Sequence, residues 1–318
     1  MASPLPLLCR CAALSMAGLL VAGCAGLTAP GAPGAATPDL SAASAPDAPL
    51  GRRLDALLPA QVLILGEQHD AAEHHALERE TVAALAARQR LAAVALEMAD
   101  SGRSTAALAP TATEAQARAA LAWSDRAWPW ADYGPAVMAA VRAGVPVLGA
   151  NLPRARMKDA MADVSLDAQL PPPAWQAQVA AVRDGHCGLL PESQLQPMTR
   201  IQVARDREMA RTVAQAAQAA APGRVVLLVT GAGHADPALG VAQHLPTDLK
   251  VRTVRLAAGG SAADRQRFDA LWATPALPPK DYCAALRKPA AAAVQPQRLG
   301  QTYLPVSPPS TTSSVPVT

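Results

Sequence analysis

Two short apolar runs that each end in Gly-x-x-His constrain the fold of this chain most strongly. The first covers residues 61–70, QVLILGEQHD, and the second covers residues 224–234, RVVLLVTGAGH. Short apolar runs that contain β-branched residues and have polar flanks predict strands buried on both faces, as in a parallel sheet. Open α/β sheets bind ligands beyond the carboxyl ends of their strands. The two runs therefore predict a functional site at one sheet edge.

The rest of the chain alternates strand and helix patterns. Strands are predicted at 62–65, 92–96, 145–150, 224–229 and 251–256, and helical spacing occurs at 71–90, 133–143 and 201–220. Gly144 follows the second helical pattern and is a typical C-cap. This alternation predicts an α/β fold with a mainly parallel central sheet flanked by helices. Residues 153–199 are helical in pattern and interrupted by prolines, which predicts a helical cap or subdomain.

Polar side chains follow four of the predicted strands, and parallel strands would bring them to one edge. Glu67 and His69 are two residues apart, so they face the same way in extended backbone. Glu97 follows five apolar residues, a costly place for a carboxylate unless it is paired or lies in a site. Asn151 and His234 follow two other strands. The alternative is a structural cluster that fastens strand ends to helix N-termini.

The termini differ in composition from the middle of the chain. Residues 1–23 predict a signal peptide, and its end, Val-Ala-Gly-Cys, resembles a bacterial lipobox with Cys24 as the lipidated residue. The alternative is an ordinary signal peptide cut after small residues. Residues 24–49 predict a flexible lipid-anchored tether, residues 50–287 the folded domain, and residues 288–318 a disordered tail.

Composition and cysteine usage narrow the function further. A net charge of +3 without any polybasic block argues against nucleic acid as a partner. Two cysteines remain in the predicted domain, Cys187 and Cys283, and an exported domain with two cysteines favours one disulfide between them. The alternative is that Cys187, beside His186, is a thiolate ligand or nucleophile.

A family resemblance rests on five stretches in order: LILGEQHD, ALEM, WPWADYGPAVMAAV, PVLGAN and VVLLVTGAGHA. Together they resemble the ChaN family of haem-binding lipoproteins, which belongs to a superfamily with the Tiki and TraB proteins and the erythromycin esterases. The resemblance implies an α/β haem-binding domain over residues 50–287. It also implies a role in haem or iron uptake at the bacterial outer membrane, with the protein lipid-anchored on the periplasmic or surface side.

The resemblance also implies a tyrosinate ligand for haem iron, which falls on Tyr133. The tryptophans Trp128 and Trp130 precede it and offer apolar walls. The alternative is that Tyr133 packs at a helix start. The full set of predicted cofactor-binding residues is Tyr133, His69, His234, Glu67, Glu97 and Asn151, with His69, His234 and His186 as alternative iron ligands and Arg154 and Arg156 as propionate contacts.

Two other functions stay open. Four side chains would suit a divalent metal such as Zn or Mn in a metal-dependent hydrolase of the Tiki or erythromycin-esterase type: Glu67, His69, Glu97 and His234. A surface interaction module is the third hypothesis. Further expected partners are an outer-membrane haem receptor and a second copy of the chain in a homodimer.

Overall fold

The computed structural model of the protein describes Leu40 and residues 42–45, 48–260 and 264–287. The predicted signal peptide 1–23, Cys24, most of the predicted tether and the tail 288–318 lie outside the described residues. All described residues belong to one compact unit.

An all-parallel sheet forms the centre of the described chain. Its strands are β1 (Val62–Glu67), β2 (Leu91–Asp100), β3 (Val147–Asn151), β4 (Val225–Gly231), β5 (Val251–Ala258) and β6 (Ala270–Thr274). They lie in the order β3-β2-β4-β1-β5-β6. The predicted α/β fold with a parallel sheet is confirmed.

Two details of the strand prediction were wrong. β6 was missed, because the run Ala-Leu-Trp-Ala-Thr is only five residues long and lies at the sheet edge beside β5. β2 continues to Asp100 rather than ending at residue 96, so Glu97 lies inside a strand. Glu97 nevertheless stays buried because it has charged and polar partners, as described below.

Helices cover both faces of the sheet. They are α1 (Leu50–Leu57), α2 (Ala72–Ala87), α3 (Glu114–Ala120), α4 (Trp130–Arg142), α5 (Met157–Ala162), α6 (Pro172–Gly185), α7 (Glu192–Ala219), α8 (Ala232–Ala235) and α9 (Ala284–Arg287), with 3-10 turns at Ala42–Ser44, Arg154–Arg156, Val164–Ala168, Val241–His244 and Asp264–Gln266. Gly144 ends α4 with φ +68°, as the C-cap prediction required. Among the described residues, no helix is long and apolar enough to span a bilayer.

Alternation along the strands divides the core into two layers. Leu63 and Leu65 of β1 pack with the layer under α2 and α4, whereas Val62 and Ile64 pack with the layer under α7. Side chains that are one residue apart therefore reach opposite faces of the sheet. The same alternation decides on which face each polar strand-end residue lies.

The segment predicted as a helical cap has a small core of its own. Leu166, Leu170 and Trp175 pack there against Val203 of α7. A disulfide between Cys187 and Cys283, 96 residues apart, joins the end of this segment to the chain beyond β6. The C-terminal part of the described chain is therefore tied covalently to the cap.

Candidate functional site

The carboxyl edge of the sheet carries the predicted polar residues, but they divide between its two faces. Glu67 lies on the same face of β1 as Leu63 and Leu65, so it faces the layer under α2 and α4. Glu97 lies on the same face of β2 as Ala93 and Ala95, and this face is covered by α7. The single pocket expected from sequence is therefore two adjoining clusters, named below after these two carboxylates.

The Glu67 cluster consists of Glu67, His69, His75, Glu78 and Tyr133. Oε1 of Glu67 lies 2.8 Å from Nδ1 of His69, and it also accepts a 2.8 Å hydrogen bond from the hydroxyl of Tyr133. Nε2 of His75 lies 3.2 Å from the other oxygen, Oε2, without the alignment of a full hydrogen bond. One carboxylate at the end of β1 thus holds side chains from the following loop and from α2 and α4.

Burial and neighbouring charge oppose one another in this cluster. Burial alone would raise the pKa of Glu67, but the hydrogen bond to His69 and the close imidazole of His75 lower it well below the usual range. Burial likewise lowers the pKa of His69, but the carboxylates of Glu67 and Glu97 overcome this effect and raise it. The carboxylate and the imidazole therefore stabilise each other in this buried position.

Burial favours the neutral form of two further members of the cluster. Burial and the charge of Glu67 raise the pKa of Tyr133 far above that of a free phenol. The same two causes raise the pKa of Glu78, a fully buried acid on α2 whose two oxygens have no hydrogen-bond partner among the described residues. Proton loss from Tyr133 in this position would put a phenolate against a carboxylate.

A cavity of about 370 Å³ opens beside the cluster. Its wall consists of two imidazoles, an indole, two carboxylates and small apolar residues: His69, His75, Trp128, Asp70, Asp132, Ala72, Ala127 and Pro129. The ring of Trp128 meets that of His69 edge-on, with centroids 4.9 Å apart. Tyr133 is 1% exposed and lies behind this wall, where its ring contacts those of Trp128 and His75.

Both glycines of the Gly-x-x-His runs make room for the site. A Cβ on Gly66 would come within 2.5 Å of Cβ of Ala235 in α8. A Cβ on Gly231 would come within 2.7 Å of Nε2 of His69. The second glycine therefore leaves space for the imidazole that the first run supplies.

The Glu97 cluster consists of Glu97, Asn151, Arg205, Asp206, Thr230 and His234. Glu97 forms a buried ion pair with Arg205 and accepts hydrogen bonds from the Thr230 hydroxyl (2.6 Å) and the Gly231 amide (2.7 Å). Arg205 also donates to Oδ1 of Asn151 (3.0 Å). These bonds fasten α7 to the ends of β2, β3 and β4.

His234 joins the Glu97 cluster through a second carboxylate. Its Nδ1 lies 2.7 Å from Oδ1 of Asp206, and its Nε2 lies 3.8 Å from Oε1 of Glu97. Burial alone would raise the pKa of Glu97, but His234 and Arg205 lower it. For Asp206, burial outweighs the charge of His234 and raises the pKa.

Three other residues considered from the sequence are not among those that line the cavity. His186 ends α6, where its Nδ1 lies 2.7 Å from the carbonyl oxygen of Val182. Arg154 and Arg156 form a 3-10 turn after β3, and Arg156 lies 3.4 Å from Glu208 of α7. In the described part of the chain no three His, Cys, Asp or Glu side chains are grouped to hold a metal ion. The metal alternative therefore gains no support.

The members that the sequence analysis did not predict include Arg205, Asp206 and Glu78, and Arg205 and Glu78 each had a detectable signal. Arg205 lies four residues after Ile201 and four before Met209, in line with the buried face of α7. Asp206 is its neighbour. Glu78 precedes Val82 by four residues on the buried face of α2. A charged residue in register with core positions on a helix is itself a sign of a buried polar partner.

Comparisons with known proteins agree with this architecture. The family model described as haem-binding uptake, Tiki superfamily, ChaN matches residues 53–245. A solved structure of cofacial heme binding to ChaN of Campylobacter jejuni has a TM-score of 0.56 at 24% identity, covering 68% of this chain and 88% of that one. The structure of the type III effector HopBA1 has a TM-score of 0.43 at 17% identity, covering 71% of this chain and 93% of that one. No curated protein sequence matches the chain.

Proposed function

Because the chain belongs to the ChaN family of haem-binding uptake proteins in the Tiki superfamily, we propose that it binds haem in the cavity beside the Glu67 cluster. The observation that carries the proposal is the position of this cavity. It lies at the carboxyl end of β1, where His69 is held by a buried carboxylate and faces an indole wall. Ligands of parallel α/β sheets bind at this edge.

The lining residues fit a porphyrin in chemistry. Trp128 and Pro129 supply apolar surface for a planar ring, and His69 supplies a nitrogen donor for iron. The carboxylate of Glu67 orients the imidazole from behind, as second-shell carboxylates do for metal-bound histidines. When bound, haem would supply the iron chemistry, while the protein fixes its orientation and limits its contact with water.

We assign the iron contact to His69 in preference to Tyr133. His69 lines the cavity, whereas the Tyr133 hydroxyl is buried behind the wall and is already committed to Glu67. To bind iron as a phenolate, Tyr133 would have to leave Glu67 and lose a proton that burial holds in place. In this proposal Tyr133 supports the Glu67–His69 pair from behind. The assignment of Tyr133 as the iron ligand stays a prediction, which the hemin titration also tests.

The experiment is a hemin titration of the purified protein followed in the Soret region. The wild type should show a shifted, saturable Soret band. His69→Ala should lower hemin affinity by more than about 10- to 100-fold, the range for loss of a partner that only orients a ligand. Tyr133→Phe should keep a wild-type band position and an affinity close to wild type. The reverse ranking would return the ligand role to Tyr133, and no spectral change with hemin would refute the proposal.

We also propose that the protein is a lipoprotein of the bacterial outer membrane that acts in haem or iron uptake. Support for this comes from the lipobox-like sequence that ends in Cys24 and from the family's description as uptake proteins. Lipidation of one cysteine would hold the domain at a membrane without a spanning helix. A haem receptor in the same membrane and a second copy of the chain are the partners this role would need.

Cell fractionation tests the anchor. Cys24→Ser should move the protein from the membrane fraction to the soluble fraction, and Cys9→Ser offers a control that also removes a cysteine without touching the lipobox or the disulfide. Growth on hemin as iron source, compared between wild type and a strain lacking the protein, tests the uptake role. Membrane association that survives Cys24→Ser would refute the lipid anchor.

A further inference from the structure

The edge of the sheet opposite the cavity is basic. The residues just before β2, β4 and β5 are Arg90, Arg224 and Lys250, and all three are exposed. Backbone hydrogen bonds place them side by side: the Val225 amide donates to the Arg90 carbonyl (2.7 Å), and the Gln61 amide donates to the Lys250 carbonyl (2.8 Å). Since the strands are parallel, these cations share the amino edge of the sheet.

Helix α1 adds to this charge. Its exposed Arg52 follows Gly51, whose carbonyl accepts a 3.2 Å hydrogen bond from Arg88 at the end of α2. A second cavity, of about 360 Å³, lies between these elements and has Arg88 and Arg90 in its wall. The basic edge is defined here as the five cations Arg52, Arg88, Arg90, Arg224 and Lys250.

Three carboxylates lie at the same edge, and one of them, Asp269 just before β6, is paired with a further cation, Arg252, at 2.9 Å. Asp55 of α1 lies 3.1 Å from Arg88, and Asp248 is exposed two residues before Lys250. The positive charge therefore remains in excess at this edge. At the other edge, the wall of the haem cavity contains the carboxylates of Asp70 and Asp132. The basic edge and the cavity thus lie at opposite ends of strands of about six residues, roughly 20 Å long.

We propose that the basic edge is a docking surface for anionic lipid headgroups and faces the membrane. The 3-10 turn Ala42–Ser44 is bonded to Leu271 and Trp272 near the amino end of β6, and the chain then continues through α1, Leu58 and Pro59 into the amino end of β1. The first described part of the chain therefore enters the domain at the amino edge of the sheet, on the same side as the basic edge.

This arrangement deepens the proposed function by setting its geometry. With the basic edge on the bilayer, the cavity at the opposite edge opens away from the membrane, toward a haem donor or receptor. Headgroup attraction would add to the membrane binding that lipidation of Cys24 provides. The inference uses the proposed anchor only for the direction of entry, so the test below is made without the anchor.

The test measures vesicle binding of the chain from residue 24 onward carrying Cys24→Ser, so that no lipid is attached. Vesicles of phosphatidylglycerol and phosphatidylcholine mixed are compared with phosphatidylcholine alone. The protein should bind the anionic vesicles, and 0.5 M NaCl should release it because surface charges are then screened. The triple variant Arg90→Gln, Arg224→Gln, Lys250→Gln should bind at least about tenfold more weakly, since each cation near a surface contributes a severalfold effect.

A matched triple variant separates the basic edge from net charge. Arg103→Gln, Arg126→Gln and Lys158→Gln remove the same charge from exposed positions in segments that follow carboxyl strand ends. This control should keep wild-type vesicle affinity. Each of three results would overturn the proposal. They are an equal loss of vesicle affinity in the two triple variants, equal binding of the protein to neutral and anionic vesicles, and tighter binding to duplex DNA than to anionic vesicles. Hemin titration of the same proteins reports separately on the haem site.

Discussion

Tyr133 and His69 both contact the same oxygen of Glu67, each at 2.8 Å. This shared oxygen links α4 to the loop after β1, so the first Gly-x-x-His run and the Trp-Pro-Trp segment form one unit. The carboxylate is fully buried and has no role in the cavity wall itself. It acts by positioning the two rings.

Glu67→Gln should therefore weaken hemin binding although Glu67 does not line the cavity. The amide keeps the size of the side chain but removes the carboxylate charge that orients the His69 ring through Nδ1 and raises the basicity of its other nitrogen. A loss of about 10- to 100-fold in hemin affinity is expected, the range for second-shell partners of a metal ligand. Soret titration measures it.

Glu73→Gln is the control for this change. Glu73 lies on the first turn of α2 and is exposed, so its replacement alters net charge by the same amount without touching the cluster. Unchanged hemin affinity in Glu67→Gln, with a changed affinity in Glu73→Gln, would contradict the positioning role.

Gly231→Ala should disturb His69 with little effect on the backbone. The residue has φ −60° and ψ 148°, which alanine adopts freely, but the new Cβ would lie within 2.7 Å of Nε2 of His69. Weaker hemin binding is expected together with a thermal midpoint close to wild type. A large fall in the midpoint with normal hemin affinity would show that the added methyl displaces something other than the imidazole.

The sequence was sufficient to predict the sheet and the residues at its carboxyl edge, because apolar runs that end in polar residues depend only on local pattern. It could not divide those residues between the two faces. That division depends on strand length: β2 extends past Glu97, and alternation then turns Glu97 toward α7. A strand boundary that is wrong by a few residues is enough to hide this, since side-chain direction has a period of two.

The partners of the predicted residues were harder to predict than the residues themselves. Arg205 forms an ion pair with Glu97, which lies 108 residues earlier in the chain. No pattern near either residue specifies the other. Arg205 at a core-facing position of α7 indicates only that some buried acceptor exists, and the fold decides which one.

Arg205→Ala should be among the most destabilising single changes in the Glu97 cluster. It leaves the Glu97 carboxylate buried without its cation, and such a loss costs about 3–5 kcal/mol in the free energy of unfolding. Urea denaturation measures it. Arg211→Ala, on the exposed side of the same helix, should cost less than about 1 kcal/mol.

The double variant Glu97→Leu, Arg205→Leu tests the reason for that effect. Removing both charges leaves no isolated ion, so the double variant should be more stable than Arg205→Ala. A double variant that is less stable by the sum of the two single effects would indicate that the two side chains do not depend on each other.

Loss of the disulfide should loosen the chain beyond β6. Cys283 adjoins Tyr282, whose hydroxyl accepts a 2.8 Å hydrogen bond from Gln68, and Lys280 lies 2.6 Å from Asp70 at the cavity wall. Cys187→Ser with Cys283→Ser should lower the free energy of unfolding by about 2–4 kcal/mol.

Limited proteolysis gives the second measurement for this variant. Cleavage near residues 280–287 should become faster than in wild type, while the sheet stays protected. Equal cleavage rates, or two free thiols in the unfolded and unreduced wild type, would contradict the bridge.

Stability at acidic pH should depend on His74. This buried imidazole accepts a hydrogen bond at Nδ1 from the Gln68 amide (2.9 Å) and lies at Nε2 3.0 Å from the Thr274 hydroxyl, so it joins β1 to β6 as a neutral ring. Burial lowers the pKa of His74 to about 4. The unfolded chain binds a proton at about pH 6.5, so the stabilisation is complete above that pH and is lost as the pH falls toward 4. The loss amounts to about 3 kcal/mol over this range.

Urea denaturation at several pH values tests this prediction. The free energy of unfolding should fall more steeply with decreasing pH for wild type than for His74→Gln, which cannot titrate. Parallel curves would rule out this origin of the acid sensitivity.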